Sequence, residues 1–414
     1  MKGNCLVAQS GGPSSAINAS LCGVYKEMVQ SPDVGTVYGG INGIQGILAE
    51  KLLELPPILS KGDNLKLLAQ TPSSSLGSCR FKLKSPEDRP DEYARIFEIF
   101  EKFDIRYFIY IGGNDSMDTV YRLSEYAKTA GRDMRMMGVP KTIDNDLAHT
   151  DHAPGFGSCA KYIATTIKEA AQDNRVYDMD SIFIAEAMGR DAGWIALSAA
   201  LARDAEDRPQ CDLIYTPEVP FSTDRFLRDV AAVRENKRQM VIVVSEGVKD
   251  KNGVYLSDTG EIDAFGHTLL RGAGAVLSEI VRKNLGVKVR DVELSILQRC
   301  AAHVSSETDL SESEELGRLS AKGALSGLTG QMSVIRRVSD EPYRVEYDYV
   351  DVSDVANAVK SVPPEYFNEA RNHASEAGLR YLRPLIGGAR EVLREHGLPV
   401  FLNLASIYDG QRPR

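Results

Sequence analysis

The sequence predicts an α/β protein in which helices cover mostly parallel sheets. In the N-terminal half, short apolar runs alternate with longer amphipathic stretches, which is the pattern of βαβ units. Each of the strongest apolar runs ends in a cluster of small or polar residues, and ligands of open α/β sheets bind at such strand ends. A length of 414 residues is enough for about two or three domains, so the core needs no disulfide scaffold.

The same pattern predicts the individual elements. Strands are predicted at residues 5–8, 107–111, 136–139, 181–185 and 240–245, and helices at residues 16–30, 91–103, 116–129, 161–177, 194–203 and 223–235. Residues 343–352 alternate in polarity as a half-exposed strand does, and a helix at residues 364–379 is predicted to follow. Residues 55–91 are rich in Ser, Pro and Lys, which predicts a surface excursion or a lid.

Composition and charge narrow the class of protein. Apolar residues make up 43% and charged residues 26% of the chain, as in ordinary globular proteins. The net charge of −9 argues against nucleic acid or an anionic membrane as a partner, and no run of about 18 apolar residues is present to span a bilayer. The six cysteines form no C-x-x-C pair and no cluster, so we expect reduced thiols in a cytoplasmic protein.

Two glycine-rich turns follow predicted strands. Residues 9–15 (Gln-Ser-Gly-Gly-Pro-Ser-Ser) and 112–116 (Gly-Gly-Asn-Asp-Ser) each precede a helix, where free backbone N–H groups attract anions. Each turn also has a plainer explanation, because tight turns need glycine and an Asp at a helix start is usually a cap. The first turn matches neither the Walker A loop nor the G-x-G-x-x-G fingerprint.

The most informative cluster is residues 140–146 (Pro-Lys-Thr-Ile-Asp-Asn-Asp), which follows a predicted strand. It combines a cation, a hydroxyl and two carboxylates. Phosphoryl transfer uses this set, since one carboxylate can accept a proton, another can hold a divalent cation and a lysine can neutralise phosphate charge. A polar, Asx-rich loop without chemistry has a similar composition, so both interpretations stay open at this point.

Two further stretches carry candidate ligands for a phosphorylated sugar. Residues 188–194 (Met-Gly-Arg-Asp-Ala-Gly-Trp) place an arginine, which can bind phosphate bidentately, beside a flexible glycine. Glu246 ends a predicted strand and can bind hydroxyl groups. An exposed arginine and a rim carboxylate are the plainer alternatives. His149 and His152 have a spacing compatible with metal binding, but the lack of a third strong ligand nearby favours an ordinary polar loop.

The order of these motifs resembles the phosphofructokinase family across roughly the first 300 residues. Thr-Ile-Asp-Asn-Asp together with Met-Gly-Arg is the most specific part of the match. The resemblance implies two Rossmann-like α/β domains with mostly parallel sheets, and an active site in the cleft between them. It also implies that the 1-hydroxyl of fructose 6-phosphate is phosphorylated with Mg²⁺ present. Residues 1–155 with about 300–350 would form the donor domain, and residues 156–299 with about 351–414 the fructose 6-phosphate domain. A homodimer is expected by default.

The resemblance assigns roles residue by residue. Asp144 is similar to the base that takes the proton of the 1-hydroxyl, and Arg190 to the cation that stabilises the phosphoryl group in flight. The resemblance also places Lys141 and Asp115 among the catalytic residues. Donor-binding residues are expected to be Gly11, Gly12, Arg80, Gly113, Asp115 and Lys141. Sugar-phosphate ligands are expected to be Thr142, Asp144, Met188, Gly189, Arg190, Glu246, Arg290 and Arg299, and Mg²⁺ ligands to be Asn114 and Asp146.

Two positions bear on the identity of the phosphoryl donor. Members that use ATP have glycine where this sequence has Asp115 and Lys141, and the glycines leave room for the nucleotide. Asp115 would place negative charge at the α-phosphate of ATP, and like charges at close range cost several kcal/mol when desolvated. Both replacements resemble the pyrophosphate-dependent branch. The implied reaction converts pyrophosphate and fructose 6-phosphate reversibly to phosphate and fructose 1,6-bisphosphate.

Three positions depart from the family pattern. Asn114 stands where the family usually has an Asp implicated in magnesium binding, and Ile296 stands where a His or Tyr often lies near the sugar phosphate. Ser181 replaces an arginine that reaches into the neighbouring subunit of allosteric bacterial members. Two alternatives stay open. One is an ATP-dependent phosphofructokinase, which would require another pocket for the nucleotide, and the other is a catalytically silent sugar-phosphate-binding homologue, which the departures at Asn114 and Ile296 motivate. Asp144 argues against the silent homologue, because a pure binder needs no base.

Overall fold

Two main sheets organise the chain in the computed structural model, which describes residues 1–262, 268–270, 272–356 and 358–411. The strands are β1 (Gly3–Gln9), β2 (Val34–Gly40), β3 (Leu52–Glu54), β4 (Ile105–Gly112), β5 (Arg135–Pro140), β6 (Ser181–Ala187), β7 (Leu213–Tyr215), β8 (Gln239–Ser245), β9 (Asp258–Ile262), β10 (Thr268–Leu270), β11 (Lys288–Glu293), β12 (Gln331–Asp340), β13 (Tyr343–Asp351), β14 (Arg394–Glu395) and β15 (Leu398–Pro399).

The helices fill the connections between these strands. They are α1 (Ile17–Gln30), α2 (Gly43–Leu48), α3 (Pro56–Leu59), α4 (Asn64–Gln70), α5 (Pro90–Lys102), α6 (Asn114–Thr129), α7 (Phe156–Asn174), α8 (Trp194–Leu197), α9 (Thr223–Arg234), α10 (Ala273–Leu285), α11 (Leu297–Cys300), α12 (Glu307–Leu325), α13 (Val352–Val355), α14 (Glu376–Leu382) and α15 (Leu404–Gln411). No helix in the described part of the chain is both long enough and apolar enough to cross a bilayer.

The larger sheet has seven strands in the order β13-β12-β5-β4-β1-β2-β3. Its five inner strands run parallel, and β3 and β13 are antiparallel edge strands. Successive side chains point to opposite faces, so Val7 and Ile109 pack towards α1 and α12 while Leu6 and Phe108 pack towards α5 and α6. Burial of both faces explains why these strands are continuous apolar runs.

The smaller sheet has four parallel strands in the order β11-β6-β8-β7. Helices α7 and α8 cover one face, and α9 and α10 cover the other. Two mostly parallel sheets covered by helices confirm the predicted fold class.

Most of the predicted elements are confirmed. The strands β1, β4, β5, β6, β8 and β13 correspond to the six predicted ones, and all six cysteines are free, five of them buried. Helix α7 begins at Phe156 rather than at residue 161. The cause is Asp309, whose carboxylate accepts the N–H groups of Gly155 at 2.8 Å and Ser158 at 3.0 Å. Because Asp309 lies far along the chain, no local signal marks this helix start.

The predicted helix at residues 364–379 is wrong. Only a 3₁₀ turn at Pro364–Tyr366 and helix α14 are helical there. Between them, the side-chain oxygen of Asn368 accepts the N–H groups of Asn372 at 3.0 Å and His373 at 3.2 Å. These bonds compete with helical hydrogen bonds and hold a turn instead.

Residues 55–91 form a surface excursion only in their later part. Leu55, Leu59, Leu68 and Leu76 are buried in the core of the larger sheet, and α3 and α4 lie within this stretch. The chain becomes exposed near Arg80. The content of Ser, Pro and Lys suggested a surface segment. The buried leucines gave no contrary signal, because they are spaced too irregularly to predict a helix.

The chain passes between the two sheets more than once. After β11, the chain returns to the larger sheet through α12, β12 and β13. Leu379 and Leu382 of α14 then pack in the core of the smaller sheet, and Leu404 of α15 packs in the core of the larger one. The last residues therefore do not follow the predicted assignment of residues 351–414 to the second domain. The boundaries at residues 155 and 299 stay a prediction.

A buried ionic cluster joins the segment after β5 to α12 and β12. His152 is 2% exposed, with Nδ1 2.8 Å from Asp151 Oδ2 and Nε2 2.6 Å from Glu312 Oε2. Arg337 lies 2.9 Å from the same Asp151 oxygen, and the Tyr343 hydroxyl donates to Glu312 at 2.7 Å. Burial lowers the pKa of His152, but the two carboxylates raise it to a net value of about 9. Because a carboxylate occupies each ring nitrogen of His152, the imidazole acts as a structural cation rather than as a metal ligand.

Helices α1 and α12 pack against each other through two glycines. A Cβ atom at Gly23 would lie 1.9 Å from the carbonyl oxygen of Glu314, and one at Gly317 would lie 2.1 Å from that of Ser20. A larger residue at either position therefore forces the helices apart, because close-packed interiors have no free space to absorb it.

We expect Gly23→Ala to lower the free energy of unfolding by roughly 1–3 kcal/mol, the usual effect of overpacking. Urea unfolding followed by circular dichroism measures this change. Gly410→Ala is the matched control, since Gly410 in α15 has nothing within 4 Å and alanine is the better helix former by about 1 kcal/mol. A Gly23→Ala protein as stable as wild type would contradict the close approach of the two helices.

The ionic cluster predicts a pH-dependent stability. The pKa of His152 is raised from 6.5 to about 9 in the folded state, so its stabilisation is complete below pH 6.5 and is lost as the pH rises through 9. We expect wild type to lose more unfolding free energy than His152→Gln over this range at constant ionic strength. Identical pH dependence of the two proteins would remove His152 from this role.

Candidate active site

The polar clusters that follow the carboxyl ends of β1, β4 and β5 line one cleft. The register pairs Gln9 with Ile111 and Gly112 with Pro140, so the three strands end side by side. The cleft has a volume of about 510 Å³. Its lining includes these residues predicted from the sequence: Gly11, Gly12, Arg80, Gly113, Asn114, Asp115, Lys141, Thr142, Asp144, Asp146, Met188 and Arg299.

A hydrogen bond between the hydroxyls of Ser10 and Ser116 joins the two glycine-rich turns. Gly112 makes this contact possible, because a Cβ atom there would lie 1.9 Å from Ser116 Oγ and 2.8 Å from Ser10 Oγ. The plain explanation of this glycine is therefore correct: it is needed for the close approach of the turns. The approach itself brings the two helix N-termini to one cleft.

Lys141 is a nearly buried cation beneath the first turn. The side chain is 2% exposed, and its ammonium donates to the carbonyl oxygen of Gly12. A Cβ atom at Gly11 would lie 3.5 Å from Lys141 Nζ. Burial lowers the pKa of Lys141 to about 8, and the negative charge of Asp144 opposes that shift.

Asp144 and Asp146 follow Lys141 on the same loop and are half-buried. Burial, together with the negative charges of Asp146 and Glu246, raises the pKa of Asp144 to a net value of about 7, although Lys141 opposes the shift. Burial also raises the pKa of Asp146. Asn145 between them is fully buried with a left-handed φ of 54°. A carboxylate with a pKa near neutrality is suited to exchange a proton at neutral pH.

The cleft contains a buried side-chain oxygen that has no hydrogen-bond partner among the described residues. Asn114 Oδ1 is buried and accepts no hydrogen bond from the described residues. Such an atom usually marks a bound ion or water. Since Asn114, Asp144 and Asp146 line the same cleft and all offer oxygen, the donor set fits Mg²⁺, a hard cation that prefers oxygen ligands.

The smaller sheet closes the cleft with Met188 and Arg299. Gln298 is 1% exposed, and its side-chain oxygen accepts the N–H of Met188 at 3.1 Å, which ties this turn to the end of β6. A Cβ atom at Gly12 would lie 3.7 Å from Arg299 Nη1. The guanidinium group of Arg299 thus reaches the first turn of the larger sheet.

A second, smaller pocket of about 120 Å³ adjoins this side. It is lined by Arg190 and Glu246 together with Glu186 and Glu293. Burial raises the pKa of Glu246, and Arg190 opposes that shift. The negative charge of Glu246 in turn raises the pKa of Asp144, so the pocket and the cleft are electrostatically linked.

Gly189 lies between the cleft and the pocket. Its φ of +116° is accessible mainly to glycine, and its carbonyl oxygen accepts the Ser245 hydroxyl at 2.6 Å. This turn lets Met188 line the cleft while Arg190 lines the pocket.

Arg290 and Ile296 do not line the cleft. Arg290 in β11 pairs with Phe183 near the start of β6 and is 61% exposed, with Asp173 as its nearest carboxylate at 3.9 Å. Ile296 is 55% exposed. The expectation that Arg290 shares a phosphate site with Arg299 is therefore not met within one chain, because β11 carries Arg290 towards the amino ends of the strands.

Lys82 also lines the cleft, although it was not predicted from the sequence. The N–H of Gly11 donates to the carbonyl oxygen of Cys79 at 3.2 Å, and this bond draws the following residues, Arg80 and Lys82, to the cleft. In an extended segment, residues two apart lie on the same side. The spacing of Arg80 and Lys82 could therefore have identified Lys82 from the sequence.

Comparison with known proteins gives a consistent match. A family model described as phosphofructokinase matches residues 4–313. The pyrophosphate–fructose 6-phosphate 1-phosphotransferase of Methylococcus capsulatus is 40% identical over 407 residues, which cover 98% of this chain and 96% of that protein. The enzyme of the same name from Halomonas elongata is 40% identical over 405 residues, or 97% of this chain and 96% of that protein.

A solved structure agrees with this match. The crystal structure of a pyrophosphate-dependent phosphofructokinase from Nitrosospira multiformis is 35% identical, with a TM-score of 0.87, and the match covers 97% of this chain and 96% of that one. Because the family model covers most of the chain and the relatives match nearly all of it, this chain belongs to the phosphofructokinase family.

Proposed function

We propose that this protein is a pyrophosphate-dependent 6-phosphofructokinase. It transfers a phosphoryl group reversibly from pyrophosphate to the 1-hydroxyl of fructose 6-phosphate, giving fructose 1,6-bisphosphate and phosphate. The observation that carries the proposal is the presence of Asp115 and the buried Lys141 in one cleft with Asp144. The names of the two relatives and of the solved structure support the same donor.

The donor end of the cleft suits a compact anion. Gly12 and Gly113 present backbone N–H groups, while the N–H of Gly11 donates to the Cys79 carbonyl oxygen, and Lys141 and Arg80 supply positive charge. Asp115 lies exposed in the first turn of α6, where it narrows the cleft and repels a longer polyphosphate. Pyrophosphate meets the cations without extending past Asp115, whereas the α-phosphate and nucleoside of ATP would have to pass it.

The acceptor end supplies a base and a set of sugar ligands. The oxygen of the 1-hydroxyl forms a bond to phosphorus while the P–O bond of pyrophosphate breaks and phosphate departs. Asp144 accepts the proton of that hydroxyl, and Arg190 stabilises the charge of the transferring group. Thr142, Met188, Gly189 and Arg299 hold the sugar phosphate, and Glu246 accepts hydrogen bonds from the sugar hydroxyls.

Magnesium completes the proposed site. Asn114 and Asp146 would hold Mg²⁺, since their oxygens line the cleft and Asn114 Oδ1 has no partner among the described residues. When bound, the ion neutralises phosphate charge during transfer. The cytoplasmic location and the homodimer stay predictions.

Initial rates with fructose 6-phosphate and Mg²⁺ test the proposal. We expect turnover with pyrophosphate and little with ATP, measured as fructose 1,6-bisphosphate formed. Turnover with ATP alone would show that ATP is the donor, and no turnover with either donor would overturn the enzymatic function.

Asp144→Ser should lower the rate by roughly 10²- to 10⁴-fold, the usual contribution of a general base.

We expect Asp115→Gly combined with Lys141→Gly to lower the rate with pyrophosphate and to admit some ATP, because both charge and bulk leave the donor end. Since Lys141 is buried, the single Asp115→Gly variant serves if the double variant is unstable. Asp91→Gly is the matched control, an exposed Asp in the first turn of another helix, α5. A folded double variant without any ATP activity would contradict the explanation of donor choice.

A further inference from the structure

Residues 358–362, which we call the strap, lie against the loop that carries Asp144 and Asp146. Val359 forms a bridge to Leu147, and the backbone N–H of Lys360 donates to the carbonyl oxygen of Asp146 at 2.8 Å. The side-chain ammonium of Lys360 donates to the carbonyl oxygens of Asp151 at 2.7 Å and Thr150 at 3.1 Å. One residue thus holds both ends of residues 146–151.

The strap also holds the turn that carries Arg190. Trp194 Nε1 donates to the carbonyl oxygen of Lys360 at 2.9 Å. The Glu218 carboxylate oxygen Oε1 accepts the N–H of Gly193 at 2.8 Å and the N–H of Val362 at 3.1 Å. The loop with the base and the turn with the arginine therefore meet on one short segment.

We propose that Lys360 is a positioning residue for phosphoryl transfer, which fixes the loop of Asp144 relative to the turn of Arg190. The inference rests on the proposed function, since it concerns the same reaction. Lys360 does not line the cleft, so its effect on the reaction passes through the two loops.

The loop needs such support because its conformation is not favourable by itself. Asn145 adopts a left-handed φ of 54°, and His149 in the same loop has a φ of 63°. Left-handed backbone at residues other than glycine persists when surrounding contacts hold it. Lys360 Nζ lies 3.5 Å from Asn145 Oδ1, beside the first of these residues.

The side-chain and backbone contacts of Lys360 can be separated. Lys360→Met keeps the backbone bonds to Asp146 and Trp194 and nearly the same apolar length, and it removes only the ammonium. Lys161→Met is the matched control, because the Lys161 ammonium also donates to two carbonyl oxygens, those of Ser305 and Gly388, outside the cleft. Any general effect of losing a partly buried lysine appears in both variants.

We expect Lys360→Met to lower kcat by roughly 10- to 100-fold, as a small misplacement of reacting groups does, with the KM for fructose 6-phosphate within about twofold of wild type. Lys161→Met should keep its kcat. In an Asp144→Asn background the effect of Lys360→Met should largely vanish, because the group that it positions is already disabled. An equal loss in both backgrounds would overturn the positioning role.

Hydrogen–deuterium exchange tests the strap without any turnover. In Lys360→Met, peptides that span residues 142–151 and 188–194 should exchange faster, while other buried peptides keep wild-type rates. Unchanged exchange in both peptides would overturn the proposal. If wild type shows no turnover with either donor, the proposed function fails, and the exchange rates alone decide whether Lys360 holds the two loops together.

Discussion

The cleft depends on keeping Lys141 charged while almost all of its surface is removed from water. An isolated buried ammonium is strongly unfavourable, and burial lowers the pKa of Lys141 to about 8. The carboxylate of Asp144 opposes this shift, and Lys141 in turn opposes the rise in the pKa of Asp144. Neither group would be suited to neutral pH without the other. Both lie on the loop after β5, and the Lys141 ammonium also needs the Gly12 carbonyl oxygen on the turn after β1, so these two loops have to converge.

This convergence is a consequence of the register of the larger sheet. Because β1, β4 and β5 are parallel and end side by side, the three turns that follow them share one edge. Gly112 then permits the contact between Ser10 and Ser116, and the Gly12 carbonyl receives the Lys141 ammonium. The chemistry of the cleft is thus built from backbone geometry that the apolar strands already determine.

Local patterns explain what could be predicted from the sequence. The buried strands are continuous apolar runs and the turns after them are short polar clusters, so both the fold class and most of the cleft were accessible. Contacts between distant parts of the chain were not. Asp309 starts α7, and Glu312 turns His152 into a buried cation, but each lies in α12, over a hundred residues from its partner. Lys360 is likewise remote from the loop that it contacts.

Charge is distributed unevenly around the site, which bears on how the two substrates are oriented. The cleft is lined by four cations, Arg80, Lys82, Lys141 and Arg299, and by three aspartates, Asp115, Asp144 and Asp146, so cations are in excess there although the chain as a whole has a charge of −9. The adjoining pocket has three glutamates and one arginine. Phosphates are attracted to the first region, and neutral hydroxyl groups can donate to carboxylates in the second. Under the proposed function, a phosphorylated sugar that spanned the two would be oriented by its own polarity. Asp144 lies near the boundary, because its pKa responds to both Lys141 and Glu246.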